Sequence, residues 1–395
     1  MKILFILPIA LFPLKGCSFR CYRQATALKD QNIDVVILCP KSDVKYSKQL
    51  LEVSSAYPVF DLLPNIGRSY IREFVTLLTA WSFIIKILRQ EKPDIIHVHN
   101  PPDTMAFITS YICSHLNIPV VFDINDLGPE DIQSNYNKST LSKIILLPIA
   151  RILERNVIKR SSAIIVVSDS VKNHLLKTRD YLRKMNIPVL TVYNSVDIGD
   201  IDKIRDIEKK EPYILYVGTL SSGFLGLEEL ISSFKYIANK FNVKLKIIGD
   251  GPLRKKLLDL VRELEMEDKV DIIGHLNPAI VLQYVKSAVL CVVPYRKTIL
   301  TDITIPTKIF EYMVIGKAIV RPNLAGLDEV LGKENIGCYE ADNQKSLINS
   351  IETLLGNKVL LHKVGNLNRD RFLCFSYQKV IKQLMTLYQA IQKHI

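Results

Sequence analysis

Short runs of consecutive apolar residues alternate along the chain with longer segments whose apolar residues recur every three or four positions. The first kind reads as buried strand and the second as amphipathic helix. Strands are predicted over residues 3–7, 35–39, 95–99, 120–124, 163–167 and 189–192, with helices over 19–29, 70–89, 105–116, 146–159 and 170–177 between them. The charged segment D-I-G-D-I-D-K-I-R-D-I-E-K-K-E-P (197–212) breaks this rhythm and reads as a linker. The alternation restarts with strands over 213–217, 244–248, 270–273, 289–293 and 318–320. Helices fall over 227–239, 252–265, 278–286 and 307–315, and a closing helix over 377–393. A repeated strand–helix–strand rhythm means parallel sheets flanked by helices. The predicted fold class is α/β: two doubly wound, Rossmann-like domains facing each other across a cleft. Residues 1–196 form the first domain, 197–211 the linker, 212–376 the second domain, and 377–395 a C-terminal helix returning to the first.

Length agrees, because 395 residues exceed what one ordinary core organises. The apolar fraction of 48% and charged fraction of 23% are those of a soluble globular chain. A net charge of +12 favours anionic partners such as sugar nucleotides or lipid head groups. No basic–aromatic interleaving or zinc-finger spacing accompanies it, so nucleic acid is not an expected partner. The seven cysteines are odd in number and scattered, which fits reduced, buried thiols in a cytosolic protein. Cys17 and Cys21 have no second pair or nearby histidine, and no metal is expected there. The N-terminus M-K-I-L-F-I-L-P-I-A-L-F-P-L-K-G-C could pass for a signal peptide. Lys15 in the would-be cleavage region favours a buried first strand instead. The apolar stretch 74–88 is too short to span a bilayer and contains Lys86.

In doubly wound sheets ligands sit beyond the carboxyl ends of the strands, so the loops there carry the chemistry. The richest is P-Y-R-K-T-I-L-T-D-I-T-I-P-T-K-I-F-E-Y-M-V-I-G-K-A-I-V (294–320). Pro306 suits a first helical turn, and Lys308 and Glu311 then lie one turn apart on one face. Helix N-terminal amides with Lys308 suit a phosphate, and Glu311 suits ribose hydroxyls; a solvated i,i+3 ion pair is the plainer alternative. The loop G-T-L-S-S-G-F-L-G-L after residue 217 offers backbone donors to phosphate, but matches neither the Walker nor the dinucleotide spacing. G-D-G-P after residue 248 is a tight turn, and G-H-L-N after 273 could line a base. In the first half, Gly16 could let the backbone approach a phosphate. His97 and His99 share one strand face and raise the question of a metal; with no third ligand nearby in sequence, cleft or core histidines are expected. Asp123, Asp126, Glu130 and Asp131 cluster around N-D-L-G-P-E. They suit either metal or acid–base chemistry or helix caps and turns.

The order of these loops resembles the retaining, nucleotide-sugar-dependent glycosyltransferases of family 4, which have the GT-B fold. The likeness runs through R-C-Y-R-Q-A-T-A-L-K (20–29), K-P-D-I-I-H-V-H-N-P-P-D (92–103), I-P-V-V-F-D-I-N-D-L-G-P-E (118–130), S-A-I-I-V-V-S (162–168) and V-Y-N-S-V-D (192–197). It continues through Y-V-G-T-L, I-I-G-D-G-P, V-D-I-I-G-H-L and I-P-T-K-I-F-E-Y-M-V-I-G-K. The resemblance implies a transferase moving a hexose-type sugar from a nucleotide-sugar to a glycan or lipid-linked acceptor, in cell-surface polysaccharide or glycoconjugate biosynthesis. It implies that Glu311 holds the ribose and that backbone around Ile273, His275 and Leu276 contacts the base. Gly16, Gly218, Thr219, Ile305 and Thr307 would hold the diphosphate, with Lys308 or Arg296 as countercharge. Arg20, Arg23, His99, Asn100 and Asp126 would face the acceptor or the sugar. Catalysis would rest on Asn125, Asp302 and Lys308, with no metal or other cofactor.

Three departures from the family pattern stand out. Asn125 takes the place of a common histidine that contacts the donor sugar. Thr219 and Leu225 align with the usual arginine and lysine of the second domain's first loop. Ile303 replaces the earlier of two glutamates, with Asp302 beside it as a substitute contact. A sugar-nucleotide epimerase on the same fold, or a non-catalytic nucleotide-sugar-binding subunit, are the competing readings. Residues 138–184 carry eleven Lys/Arg against Glu154, Asp169 and Asp180. That patch suits the anionic surface of a membrane, giving an expected location in the cytoplasm or peripheral on the inner face of the cell membrane; a core helix with a solvated basic face is the alternative.

Overall fold

The computed structural model describes residues 1–11, 16–40, 59–62, 70–99, 104–134, 140–196, 204, 211–221 and 223–393. The chain divides into two compact units, Met1–Tyr193 with Ile381–Ile395, and Asn194–Val380. The expected linker 197–211 and the site residue Asn100 fall almost wholly or wholly outside the described residues.

The first unit holds β1 (Lys2–Ile6), β2 (Asp34–Pro40), β3 (Val59–Leu62), β4 (Ile95–His99), β5 (Val120–Ile124), β6 (Ala163–Val166) and β7 (Val189–Thr191). They form one sheet in the order β3-β2-β1-β4-β5-β6-β7, and every pairing is parallel, with Ile3 opposite both Val35 and Ile95. Strands covered by helices on both faces must be apolar at nearly every position. Accordingly Ile3, Leu4 and Phe5 are fully buried, as are Ile95 and Ile96. The chain order reverses between β1 and β4, and a crevice at the carboxyl ends of the strands is the consequence.

The second unit repeats the plan with β8 (Tyr213–Val217), β9 (Lys244–Ile248), β10 (Val270–Gly274), β11 (Leu290–Val292), β12 (Ile319–Pro322) and β13 (Cys338–Tyr339). Their order is β10-β9-β8-β11-β12-β13, and the reversal lies between β8 and β11. Its core gathers Ile214, Tyr216, Leu245, Ile247, Leu290 and Val292 from the sheet against Leu230, Phe234 and Ile237 of the helix Leu227–Lys240. Each such fully buried side chain contributes roughly 1.5–3 kcal/mol.

Several elements depart from the sequence expectations. β3 and β13 carry no apolar run long enough to announce a strand. The helix expected from residue 146 runs over Thr140–Lys159 and contains Pro148. A proline inside a helix costs about 3 kcal/mol, so packing of the helix flanks on the unit must outweigh it. Pro306 precedes the cap of the helix Lys308–Ile315, whose N-cap is Thr307. Among the described residues no helix is long and apolar enough to cross a membrane.

Candidate active site

In the second unit the residues singled out from sequence meet where β8 and β11 end. Tyr312, inside the helix Lys308–Ile315, accepts the Val217 N–H on its hydroxyl at 3.1 Å, and Gly218 N–H donates to Ile248 O at 2.9 Å. These two bonds fix the turn after β8. Lys308 begins the helix and lays its ammonium over the Tyr216 ring, 4.2 Å from the centroid, with the Tyr295 ring at 5.4 Å. Such faces attract a cation by their quadrupole. A methyl group on Gly218 would run into the Lys308 ammonium and the Tyr216 hydroxyl, so glycine is what lets cation and turn approach. Burial pulls the Lys308 pKa down to about 7, against the opposing pull of the Glu311 charge. The helix start has no side-chain cap at Thr307; the Ile309 and Phe310 amides donate to Pro306 O and Thr307 O, both at 3.0 Å, so the amides suited to an anion are those that precede them.

Other expected donor residues have different local work. Thr219 is exposed after Gly218, its hydroxyl 3.3 Å from Ser221. Arg296 is ion-paired with Glu229 of the helix Leu227–Lys240. Asp302 accepts the Ala325 N–H at 3.1 Å, and lies 3.8 Å from Lys297. It thereby satisfies an orphan amide at the start of the helix Ala325–Leu331. Ile305 is buried and Ile273 half-buried within β10. His275 is exposed, its Nδ1 2.9 Å from Leu276 O. A Cβ at Gly274 would stand in van der Waals contact with the Arg254 guanidinium, 3.8 Å from it, a cation beside the expected base loop that sequence reading missed.

The first unit places a buried polar cluster under the carboxyl ends of β4 and β5. Asp123 is fully buried, and its Oδ2 accepts from Arg20 Nε at 2.9 Å and Gln24 Nε2 at 3.2 Å, with His97 Nε2 at 3.3 Å. Burial alone would raise its pKa; the Arg20 guanidinium, then His97 and His99, overturn this and hold it well below the usual carboxylate range. His97 reaches Tyr388 Oη with its other nitrogen at 2.5 Å, and stacks on His99 with centroids 4.5 Å apart. Burial lowers the pKa of His97 despite Asp123, and lowers that of His99 further. Burial therefore favours the uncharged form of both rings.

A fully buried carboxylate demands a countercharge, and Arg20, 6% exposed, supplies it. His99 is likewise buried beneath the sheet end. The third partner that the His97–His99 pair lacked in sequence is Asp123, and the three offer ligand atoms within 4.8 Å of one another. The shared Asp123 oxygen already meets Arg20, whose positive charge opposes a cation there. Asp123 Oδ1, Gln24 Oε1 and both His99 nitrogens have no hydrogen-bond partner among the described residues, making this a polar floor. Asn125, half-buried, and Asp126, exposed, follow directly on the end of β5. Gly16 begins the helix Cys17–Asp30 at φ 47° with open space where a Cβ would stand. Arg23 of that helix stacks over Phe19 at 4.6 Å. Glu130 is a structural residue: it pairs with Arg179 and His174, both at 2.9 Å.

Two Rossmann-type units of this strand order constitute the GT-B fold. The solved structures most like it include sucrose-phosphate synthase of Thermosynechococcus elongatus, with a TM-score of 0.78 and 15% identity over all of both chains. HepE of Anabaena, solved with UDP and glucose, superposes with a TM-score of 0.73 and 16% identity over 99% of this chain and 100% of that one. At such identities the likeness is one of fold. Residues 15–200 match Glycosyltransferase Family 4, and residues 197–371 match Glycosyl transferases group 1. The chain belongs to the family 4 glycosyltransferases. A relative in Campylobacter jejuni is N-acetylgalactosamine-N,N'-diacetylbacillosaminyl-diphospho-undecaprenol 4-alpha-N-acetylgalactosaminyltransferase, 25% identical over 206 residues. That match spans 49% of this chain and 52% of the relative, about half of each.

Proposed function

We propose that the protein is a retaining glycosyltransferase that moves a hexose-type sugar from a nucleoside-diphosphate sugar to a hydroxyl of a glycan or lipid-linked acceptor. The observation that carries this is the Lys308 ammonium held over Tyr216, beside Gly218 and one turn before Glu311. The arrangement offers a cation and amides to a diphosphate and a carboxylate to ribose hydroxyls. Transfer breaks the bond between the sugar's anomeric carbon and the β-phosphate oxygen and forms one to the acceptor oxygen on the same face. The acceptor proton goes to the departing diphosphate. No side chain need act as nucleophile; positioning and stabilisation of the leaving diphosphate supply the rate. The nucleotide found in HepE favours uridine as the base, and the undecaprenol-linked substrate of the Campylobacter relative favours a lipid-linked acceptor.

The reading is tested by incubating the protein with each of UDP-, GDP-, ADP- and dTDP-sugars and a short polyprenyl-diphospho-sugar, then determining the anomeric configuration of the product by NMR. A product with the donor's configuration, formed in EDTA, is expected. An inverted linkage refutes the retaining step, and a donor interconverted to its epimer without acceptor points to the epimerase instead.

A further inference from the structure

The helix Thr140–Lys159 packs against Gly128–Ser134 and against Thr104–His115, which in turn packs on Tyr70–Glu91. Its outward side is unusual. Ile144 is 64% exposed, Ile145 52%, Ile149 49% and Ile152 60%, and Pro148 between them is exposed too. At 3.6 residues per turn these five positions fall within an arc of roughly 140°. Scattered exposed isoleucines are ordinary, but an aligned stripe marks an interaction surface.

Charge selects the partner. Arg151, Arg155 and Lys159 are exposed, and by the same helical geometry they lie in or beside the isoleucine arc. The helix's one acidic residue, Glu154, is 1% exposed and turned inward onto Arg179 at 2.7 Å. Every exposed charge on this helix is therefore positive. The centre of a protein–protein interface is depleted of such charges. At a bilayer surface, by contrast, isoleucines enter the acyl boundary while arginine and lysine stems reach back to phosphate head groups. Trp81, on the helix Tyr70–Glu91, is 42% exposed and rests on Tyr111 at 5.6 Å, an aromatic of the kind that settles at a head-group boundary.

We infer that the outward face of the helix Thr140–Lys159 docks the first unit onto an anionic lipid bilayer, with Ile144, Ile145, Ile149 and Ile152 entering it and Arg151, Arg155 and Lys159 meeting the lipid phosphates. The docking is independent of the transfer chemistry and is measured without donor or acceptor.

The test is flotation of the full chain with vesicles of phosphatidylglycerol and phosphatidylcholine in equal parts, against phosphatidylcholine alone. The protein is expected to float with the anionic vesicles, less so at high salt. The triple variant Ile144→Gln/Ile149→Gln/Ile152→Gln is expected to lower the partition coefficient by at least about tenfold. Arg151→Gln/Lys159→Gln is expected to remove most of the preference for anionic lipid. Neither set should change circular dichroism, because the replaced side chains face water. Wild-type protein that stays at the bottom of the gradient, or a triple variant that floats like wild type, overturns the inference. So does a wild-type dimer in light scattering that the triple variant abolishes, since the stripe would then be an interface between two copies.

Discussion

In the proposed donor site Lys308 links donor binding to protonation. Burial over the Tyr216 ring brings its pKa to about 7, so at pH 7 about half the free protein carries a neutral amine there. The diphosphate of a nucleotide-sugar is a diester, fully ionised throughout the neutral range, and two negative charges beside the amine raise its pKa well above 7. Binding must then draw a proton from solution: about 0.1 per site at pH 6, about 0.5 at pH 7 and about 0.9 at pH 8. The sign follows from the shift. A group whose pKa rises on binding favours binding at low pH and opposes it as pH climbs through the free value. With a bound pKa above about 9, affinity falls about tenfold between pH 6 and pH 8, or about 1.4 kcal/mol. Isothermal titration at pH 7.5 in phosphate and in Tris reads proton uptake directly, because the two buffers release protons with very different enthalpies. Lys308→Arg keeps the charge but fixes it, and should remove the buffer-dependent heat while flattening the pH profile. Equal heats in both buffers for wild type, or an unchanged buffer dependence in Lys308→Arg, would refute this reasoning.

Three further outcomes are expected. Tyr388→Phe leaves the buried His97 without its 2.5 Å partner and should cost about 1–3 kcal/mol in urea unfolding; an unchanged midpoint would mean the contact does not form. Arg20→Leu strands the buried Asp123 carboxylate and should cost about 3–5 kcal/mol. Because Asp123 is held below its unfolded pKa, its ion pair stabilises above about pH 4 and is lost as pH falls. In the variant burial acts on Asp123 without the guanidinium to oppose it and raises its pKa, so protonation relieves the stranded charge as pH falls toward 4; the variant should lose less stability than wild type over that range, and parallel curves would contradict the assignment. Gly249→Ala drives a Cβ into the Gly218 carbonyl, backbone against backbone. A melting temperature lowered by the equivalent of about 1–3 kcal/mol is expected, and an unchanged one would be inconsistent with that close approach.

The strands were legible because burial on both faces writes itself as uninterrupted apolar residues, as at Ile95 and Ile96. β13 is two residues long and supported by register with Arg321 and Pro322 rather than by its own composition. The Lys308–Glu311 spacing was visible because both lie on one short helix. What that lysine rests on was not: Tyr216 comes from a different strand, brought there by the sheet's order. The Arg20–Asp123 and His97–Tyr388 bonds join residues 103 and 291 positions apart. No local periodicity encodes such pairs. A buried arginine and a surface arginine also look alike in sequence, so the Asp123 partner of Arg20 was not legible. The partners of Arg296 and Asp302 were hidden for the same reason, since Glu229 and the Ala325 amide reach them through tertiary packing.

Donor recognition by the second unit is tested most directly by thermal shift with UDP-, GDP-, ADP- and dTDP-sugars, with and without EDTA, on wild type and Glu311→Ala. A ligand that binds the native state raises its melting temperature by mass action. A shift with one base, insensitive to EDTA and lost in Glu311→Ala, is the expected result. A shift that survives in Glu311→Ala, or none with any nucleotide-sugar, would contradict the donor site built around Lys308 and Glu311.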